Sequence, residues 1–219
     1  MPISESDLGG DSPIAFLMLG HDVPPDGPVL LDDLAGGTGR LDVLIRGLQA
    51  GLLTSHGLRQ DVCFEWLLTG GEERRWRWMK WVGRNLRRLS ADERSIAGHV
   101  RGVLSEKVAR NRWTEHTSGI FSRRGVLADV LESWKSIGRR LMFLERDGPA
   151  LQGPTSELGQ IGLILSDHRP FTTDEIRLLS QCGATPASVS SRWLQGNSAI
   201  AIALSVLDGD TVISSRQRC

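Results

Sequence analysis

The chain has 219 residues, 40% of them apolar, and its 26 basic and 26 acidic side chains leave no formal net charge. That length suits one substantial core, since domains usually run ~100–200 residues. The balanced charge argues against a uniformly basic nucleic-acid binder, and no apolar run reaches the ~18 residues that a membrane helix needs. The opening residues Met1 to Asp7 lack the basic and apolar regions of a secretory signal, so a cytoplasmic location and no membrane attachment are expected. Cys63, Cys182 and Cys219 are odd in number and far apart, with no C-x-x-C spacing or paired histidine, so free thiols are expected rather than disulfides or a metal site.

Charge is unevenly distributed. Residues 1–70 carry 3 Lys/Arg against 10 Asp/Glu, residues 71–124 carry 14 against 6, and residues 125–219 carry 9 against 10. The basic middle third also holds Trp76, Trp78, Trp81 and Trp113, a combination that offers phosphate pairing and stacking surfaces to RNA; a solvated basic face is the alternative.

Residues 1–12 are polar and glycine-containing and read as a flexible tail, with a single domain over 13–219. Ile14–Leu19 is a short apolar run closed by Gly20 and a proline-rich segment, the pattern of a buried strand leaving into a loop. Leu41, Leu44, Ile45, Leu48 and Leu52 recur at helical spacing. Val62–Leu68 alternates as a strand and turns at Gly70-Gly71. Arg75–Val82 reads as a second strand with one wet side, because charged and aromatic residues nearly alternate. Ser90-x-x-Glu93 fits a capping box ahead of a helix with Ile96, Val100, Val103, Leu104 and Val108 inward. Further on, helices are expected near Leu127–Ile137, after Thr172-x-x-Glu175 and over Asn197–Leu207, with strands at Leu141–Leu144, Ile161–Leu165 and Thr185–Val189. Strand and helix in turn predict an α/β sheet with helices on both faces.

The cluster Gly36-Gly37-Thr38-Gly39 precedes a helix but matches neither nucleotide-loop spacing, because Arg40 and Leu41 follow Gly39. Charges gather at both ends of that helix: Arg40, Asp42 and Arg46, then His56, Arg59 and Asp61. On spacing alone Asp42 could be a structural ion pair or a catalytic carboxylate, and His56 a helix-end contact or a proton-transfer group. Asp167-His168 follows an apolar strand, where open α/β sheets present ligands; a simple turn is the alternative. No G-x-S-x-G elbow supports hydrolase chemistry.

Several segments in order resemble one family. DLAGGTGRLD over Asp33–Asp42 and LTSHGLRQDV over Leu53–Val62 are similar to the tRNA pseudouridine-54 N1-methyltransferases, the TrmY family of the SPOUT superfamily. LSADERSI over Leu89–Ile96 resembles that family's S-P-D-E-R-N-I, and SGIFSRR over Ser118–Arg124 its P-G-I-x-x-R-R. LSDH over Leu165–His168 resembles I-G-D-H, and Ala187–Ser191 with Leu194 and Asn197 resembles the S-L-S/G-P loop and the helix after it. The resemblance covers about residues 14–208.

It implies a SPOUT fold with a C-terminal trefoil knot, a homodimer, S-adenosylmethionine as cofactor and tRNA as partner, with methyl transfer to N1 of pseudouridine 54. It further implies that Asp42, Arg40 and His56 form the catalytic group, Asp42 being the candidate base. Leu144, Ser166, Ser188, Val189, Ser190, Ser191, Leu194 and Ala199 are implied to hold the cofactor, and Arg59, Arg123 and Arg124 the RNA; no metal is implied. The chain departs from the family's usual glycine at Ser166, proline at Ser191 and cysteine at Ala199. Those departures keep a catalytically inactive RNA-binding relative open as an alternative, and because related SPOUT enzymes methylate pseudouridine in rRNA, an enzyme acting there is a second.

Overall fold

The computed structural model describes residues 3–4, 6–87 and 89–209. The chain runs β1 (Ile14–Gly20), α1 (Leu41–Leu52), a small hairpin of β2 (Leu53–Thr54) and β3 (Gly57–Leu58), β4 (Val62–Leu68), β5 (Arg77–Val82), α2 (Glu93–Ser105), β6 (Thr114–Thr117), β7 (Ile120–Arg124) and α3 (Leu127–Ser136). It continues through β8 (Arg140–Leu144), α4 (Thr155–Leu158), β9 (Ile161–Ser166), α5 (Thr173–Gln181), β10 (Thr185–Ala187) and α6 (Gly196–Leu207). Eight strands form one sheet in the order β10-β8-β9-β1-β4-β5-β7-β6. The five from β10 to β4 are mutually parallel, and β5, β7 and β6 add antiparallel pairs.

Alternation along the strands divides the core into two layers. Ile14, Phe16 and Met18 of β1 join Val62, Phe64 and Trp66 of β4 under α1, α2 and α6. Ala15, Leu17 and Leu19 face the other way, with Cys63 and Leu67, onto Leu131 and Trp134 of α3 and Leu179 of α5. Both faces are therefore covered, as the alternation of elements predicts, and β1 is buried at all seven residues. Glycines let α1 approach closely: a Cβ on Gly47 would lie 2.3 Å from Met18 Sδ, and one on Gly51 would lie 2.5 Å from the Phe64 ring.

Several expectations are corrected. β5 has no wet side; all six of its residues are buried, including Arg77 and Lys80. The antiparallel strands β4 and β7 flank it, and each of its cations finds buried partners. Arg77 pairs with Asp26 at 2.7 Å and donates to the carbonyls of Val103 and Glu106. Lys80 lies 3.4 Å from the buried carboxylate of Glu65, which also accepts the indole N–H of Trp78 at 2.6 Å and of Trp134 at 3.0 Å. The described part of the expected tail folds onto this cluster. Leu8 is buried, its carbonyl accepts from Lys80, and Asp11 pairs with Arg84.

The cap of α2 is Asp92, which accepts from the Ser95 amide at 2.8 Å, and the Ser90 hydroxyl instead accepts from Asp92 N–H. That helix stops at Ser105, before Val108. Thr172 and Glu175 do form a capping box at α5. Strands β2, β3, β6 and β7 escaped sequence reading because they are short or lack apolar alternation. Cys63 and Cys182 are free thiols, and burial is the main reason the Cys63 thiol is pushed up to about 12; Cys219 lies outside the described residues.

Glu65→Gln leaves Lys80 buried without a full counter-charge. It should cost about 3 kcal/mol, lowering Tm by roughly 6–12 °C in a thermal melt followed by circular dichroism. Replacing both partners by apolar residues, Glu65→Leu with Lys80→Met, should recover part of that loss. A double variant no more stable than Glu65→Gln would count against an ion-pair origin.

Candidate active site

Parallel strands place their carboxyl ends on one edge of the sheet, and in this chain β8, β9, β10 and β1 end there together. A cleft of about 560 Å³ opens at that edge, within the usual size range of cofactor sites. Its apolar wall includes Leu144, Leu165, Val189, Leu194 and Ala199, and Ser166, Ser188, Ser190 and Asn197 supply polar groups. Arg40 and Arg46, from the N-terminal end of α1, close one side.

The loop into α1 depends on close backbone approach. Gly39 has φ of 62°, and a Cβ there would sit 1.9 Å from the Asp22 carbonyl oxygen, so glycine is obligatory. Arg40 follows with φ of 67°, the one non-glycine residue at positive φ among the described residues. Strain of that kind is held only where surrounding contacts over-determine it. Here Asp42 supplies them: Arg40 Nε donates to it at 3.0 Å and Arg46 Nη2 at 2.6 Å. Burial is the largest single influence on Asp42 and works to raise its pKa. The hydrogen bonds and charges of Arg40 and Arg46 together outweigh it and hold the carboxyl below its ordinary value.

The implied catalytic trio is not brought together within one chain. Asp42 lies in the first turn of α1, while His56 is exposed at the tip of the β2–β3 hairpin beyond the helix's other end. A twelve-residue helix spans about 18 Å. Of the three, only Arg40 lines the cleft. Of the eight implied cofactor residues, Leu144, Ser166, Ser188, Val189, Ser190, Leu194 and Ala199 line it and Ser191 does not. The Ser166 hydroxyl is taken up by its own turn, donating to the Arg169 carbonyl.

The three implied RNA-binding arginines lie outside the cleft lining and support the fold. Arg59 grips both Asp61 and Asp208, each at 2.7 Å, tying the end of α6 to the approach to β4. Arg124 makes a two-pronged pair with Asp26 at 2.7 and 2.9 Å. The Arg123 guanidinium stacks 4.6 Å from the Trp78 ring and 5.1 Å from that of Trp113, and donates to the Arg110 carbonyl at 2.9 Å.

Sequence reading missed His21 and Glu175. His21 follows β1 as Asp167 follows β9, and the β1–β9 register pairs Leu19 with Ser166. Asp167, whose side chain is fully buried, accepts from the His21 backbone N–H at 2.8 Å and lies 2.8 Å from Nδ1; Glu175 lies 3.1 Å from Nε2. Next to them Asp22 pairs with His168 at 3.1 Å and Arg169 at 2.8 Å. A histidine directly after a buried strand was the available signal.

Comparison with known proteins bears on this cleft. Residues 14–212 match a family model described as "Putative SAM-dependent RNA methyltransferase". The chain belongs to that family. It is similar to the tRNA (pseudouridine(54)-N(1))-methyltransferase of Natronomonas pharaonis, with 37% identity over 200 residues, covering 89% of this chain and 96% of the relative. The corresponding proteins of Methanosarcina acetivorans and Methanococcus maripaludis strain C6 are 33% and 32% identical, each across 88% of this chain and covering 90% and 97% of their own lengths. The fold is similar to that of Archaeoglobus fulgidus Nep1, solved with S-adenosylhomocysteine, at a TM-score of 0.59 and 17% identity, covering 87% of this chain and 94% of that one. For this methyltransferase family member, then, much of the cleft lining, residues 165–168 and 187–190 with Leu194 and Asn197, comes from segments that carry the family resemblance.

The His21 contacts make a pH prediction. Burial is the largest single influence and lowers the His21 pKa, but the hydrogen bonds and charges of Asp167 and Glu175 outweigh it and raise the group to about 9. Stability from the protonated ring is fully present below the unfolded value near 6.5 and is lost as pH rises through about 9. At most about 3 kcal/mol is at stake. Melts between pH 6 and pH 9.5 should show wild-type Tm falling, and His21→Gln should flatten that slope; equal slopes would show that the ring carries no charge in the fold.

Proposed function

We propose that this chain transfers a methyl group from S-adenosylmethionine to N1 of pseudouridine 54 in tRNA. The observation that carries the reading is the cleft at the carboxyl ends of β8, β9 and β10, lined by seven of the eight residues that the family resemblance implies for the cofactor. The curated relatives named above support the choice of base and RNA. The residues present fit the cofactor: an apolar wall for a flat ring, polar groups at the mouth and sufficient volume. Ser166 is compatible because its hydroxyl turns to the Arg169 carbonyl, which favours an active enzyme over an inactive binder. In this reading the segment around β9 and β10 forms the trefoil knot of SPOUT proteins. The same reading takes the chain as a cytoplasmic homodimer, in which a second copy is what could place a His56 near the Asp42 end of the helix.

Bound S-adenosylmethionine supplies an electrophilic methyl group. Pseudouridine offers N1 as a free N–H, which uridine lacks because its N1 bears the sugar. Arg40 and Arg46, on the cleft wall, hold the incoming nucleotide through its phosphate or carbonyl oxygens. Asp42 aims both guanidiniums. A carboxylate held below its ordinary pKa is a weak proton acceptor, so Asp42 serves as a positioning group and the N1 proton leaves to solvent. Much of the rate then comes from holding the two reactants together.

Purified protein incubated with S-adenosylmethionine and a T-arm hairpin carrying pseudouridine should form N1-methylpseudouridine, read by mass spectrometry. The same hairpin with uridine should stay unmethylated. No product from the pseudouridine hairpin, or no saturable cofactor binding, would remove the reading. Asp42→Asn should lower kcat/KM by roughly 10–100-fold, as expected when reacting groups lose alignment. Because the wild-type carboxylate stays ionised well below neutrality, the deficit should be constant from pH 6 to 9; a deficit that changes with pH would restore a base role to Asp42.

A further inference from the structure

Trp193 is 68% exposed, the most exposed of the large hydrophobic side chains among the described residues. The other tryptophans are buried or half-buried, so a single indole stands in water where six others found cover. Its place is specific. Trp193 lies on the loop between β10 and α6 and lines the cleft, and the Arg146 guanidinium, from the turn after β8, sits 5.0 Å from its ring centroid. The two loops are bound together. Ser188 Oγ lies 2.9 Å from the Arg146 carbonyl, and the Leu151 amide donates to the Ser188 carbonyl at 2.7 Å. Asp147 holds the Arg146 head from the side, at 2.6 and 2.9 Å. The ring is thus presented on a braced lip, with a cation at one side and most of its surface free.

We infer that Trp193, with Arg146, is a stacking platform for an unpaired nucleobase of the RNA next to the methylated one. This rests on the methyltransferase reading and adds to it a residue that sets how the RNA is held. Five arginines line the cleft; carboxylates pair with Arg40, Arg46, Arg146 and Arg169, yet each of these four side chains keeps more than a third of its surface exposed, leaving guanidinium N–H groups to donate to a phosphate backbone. Unpaired bases in RNA are commonly held by stacking on an aromatic ring or a guanidinium plane, and both are present. The cofactor's adenine is the less suitable occupant, since small ligands bury most of their surface and this ring is two-thirds exposed, whereas the apolar wall at Leu165 and Ala199 is buried. In the basic, tryptophan-bearing middle of the sequence Trp78 and Trp81 are buried in the sheet, and the half-buried Trp113 packs edge-on against Trp78, so none of these three presents a free face comparable to that of Trp193.

The test uses the full chain, a fluorescein-labelled T-arm hairpin with pseudouridine, and S-adenosylhomocysteine. Hairpin affinity comes from anisotropy without turnover, cofactor affinity from calorimetry, and methylation of the same hairpin from mass spectrometry. Trp193→Ala should weaken hairpin binding about tenfold, the usual size of a lost base–aromatic stack, and leave the S-adenosylhomocysteine Kd within twofold. Trp193→Phe should recover most of the affinity. In wild type, the iodide-quenchable fraction of tryptophan fluorescence should fall when hairpin is added. If wild type methylates the hairpin and Trp193→Ala binds it equally well, the platform is overturned while the methyltransferase reading stands. A loss confined to S-adenosylhomocysteine affinity would assign the ring to the cofactor and overturn the platform as well. If wild type neither binds nor methylates the hairpin, the parent reading falls and the platform with it.

Discussion

Parallel pairing on both sides of β1 is the constraint on which the rest depends. The strand is buried along its whole length, and its register sets Leu17 beside Glu65 of β4 and Ile164 of β9, residues about 50 and 150 positions away in the chain. Because β8 and β10 continue the same parallel series, several strand ends reach one edge together, and the loops leaving them become the walls of a single cleft. His21 and Asp167 meet for no other reason than this register: each follows one of two adjacent parallel strands, and an imidazole held between two carboxylates, whose charges raise its pKa, fastens the loops they begin.

Loop geometry then carries the pairing into the site. Gly39 admits the chain past the Asp22 carbonyl at a distance that no side chain could tolerate, so the loop before α1 is pinned to the loop after β1. That pin leaves Arg40 in a left-handed conformation at the start of α1, where Asp42 clamps it together with Arg46. A negative charge in the first helical turn is favoured by the helix dipole, so the clamp stabilises the helix end as it aims two cations at the cleft.

Part of the positive charge of the middle third turns inward, because charge in sequence says nothing about direction. Arg77 and Lys80 are buried, and with the half-buried Arg123 and Arg124 they hold the antiparallel half of the sheet together through Asp26, Glu65 and the rings of Trp78 and Trp113. A long side chain with its charge satisfied can be buried, and the buried partner makes it costly to remove. The cations beside the cleft, Arg146, Arg169 and Arg192, are scattered through the nearly neutral C-terminal third, where composition gives no warning.

What the sequence determined by itself was local: the apolar faces of β1, α1, β4 and α6, the capping box at Thr172, the layered α/β arrangement and the family-like segments 165–168 and 187–190 that line the cleft. These follow from periodicity and from short motifs, each contained within a few neighbouring residues. Tertiary structure alone decided that Arg40 and Arg46 face the cleft while Arg59 and Arg124 brace the fold, that His21 pairs with Asp167, and that Trp193 is left in solvent when six other tryptophans are covered. Those outcomes depend on which distant strands pair and in what register, and no local pattern of charge or hydrophobicity encodes that.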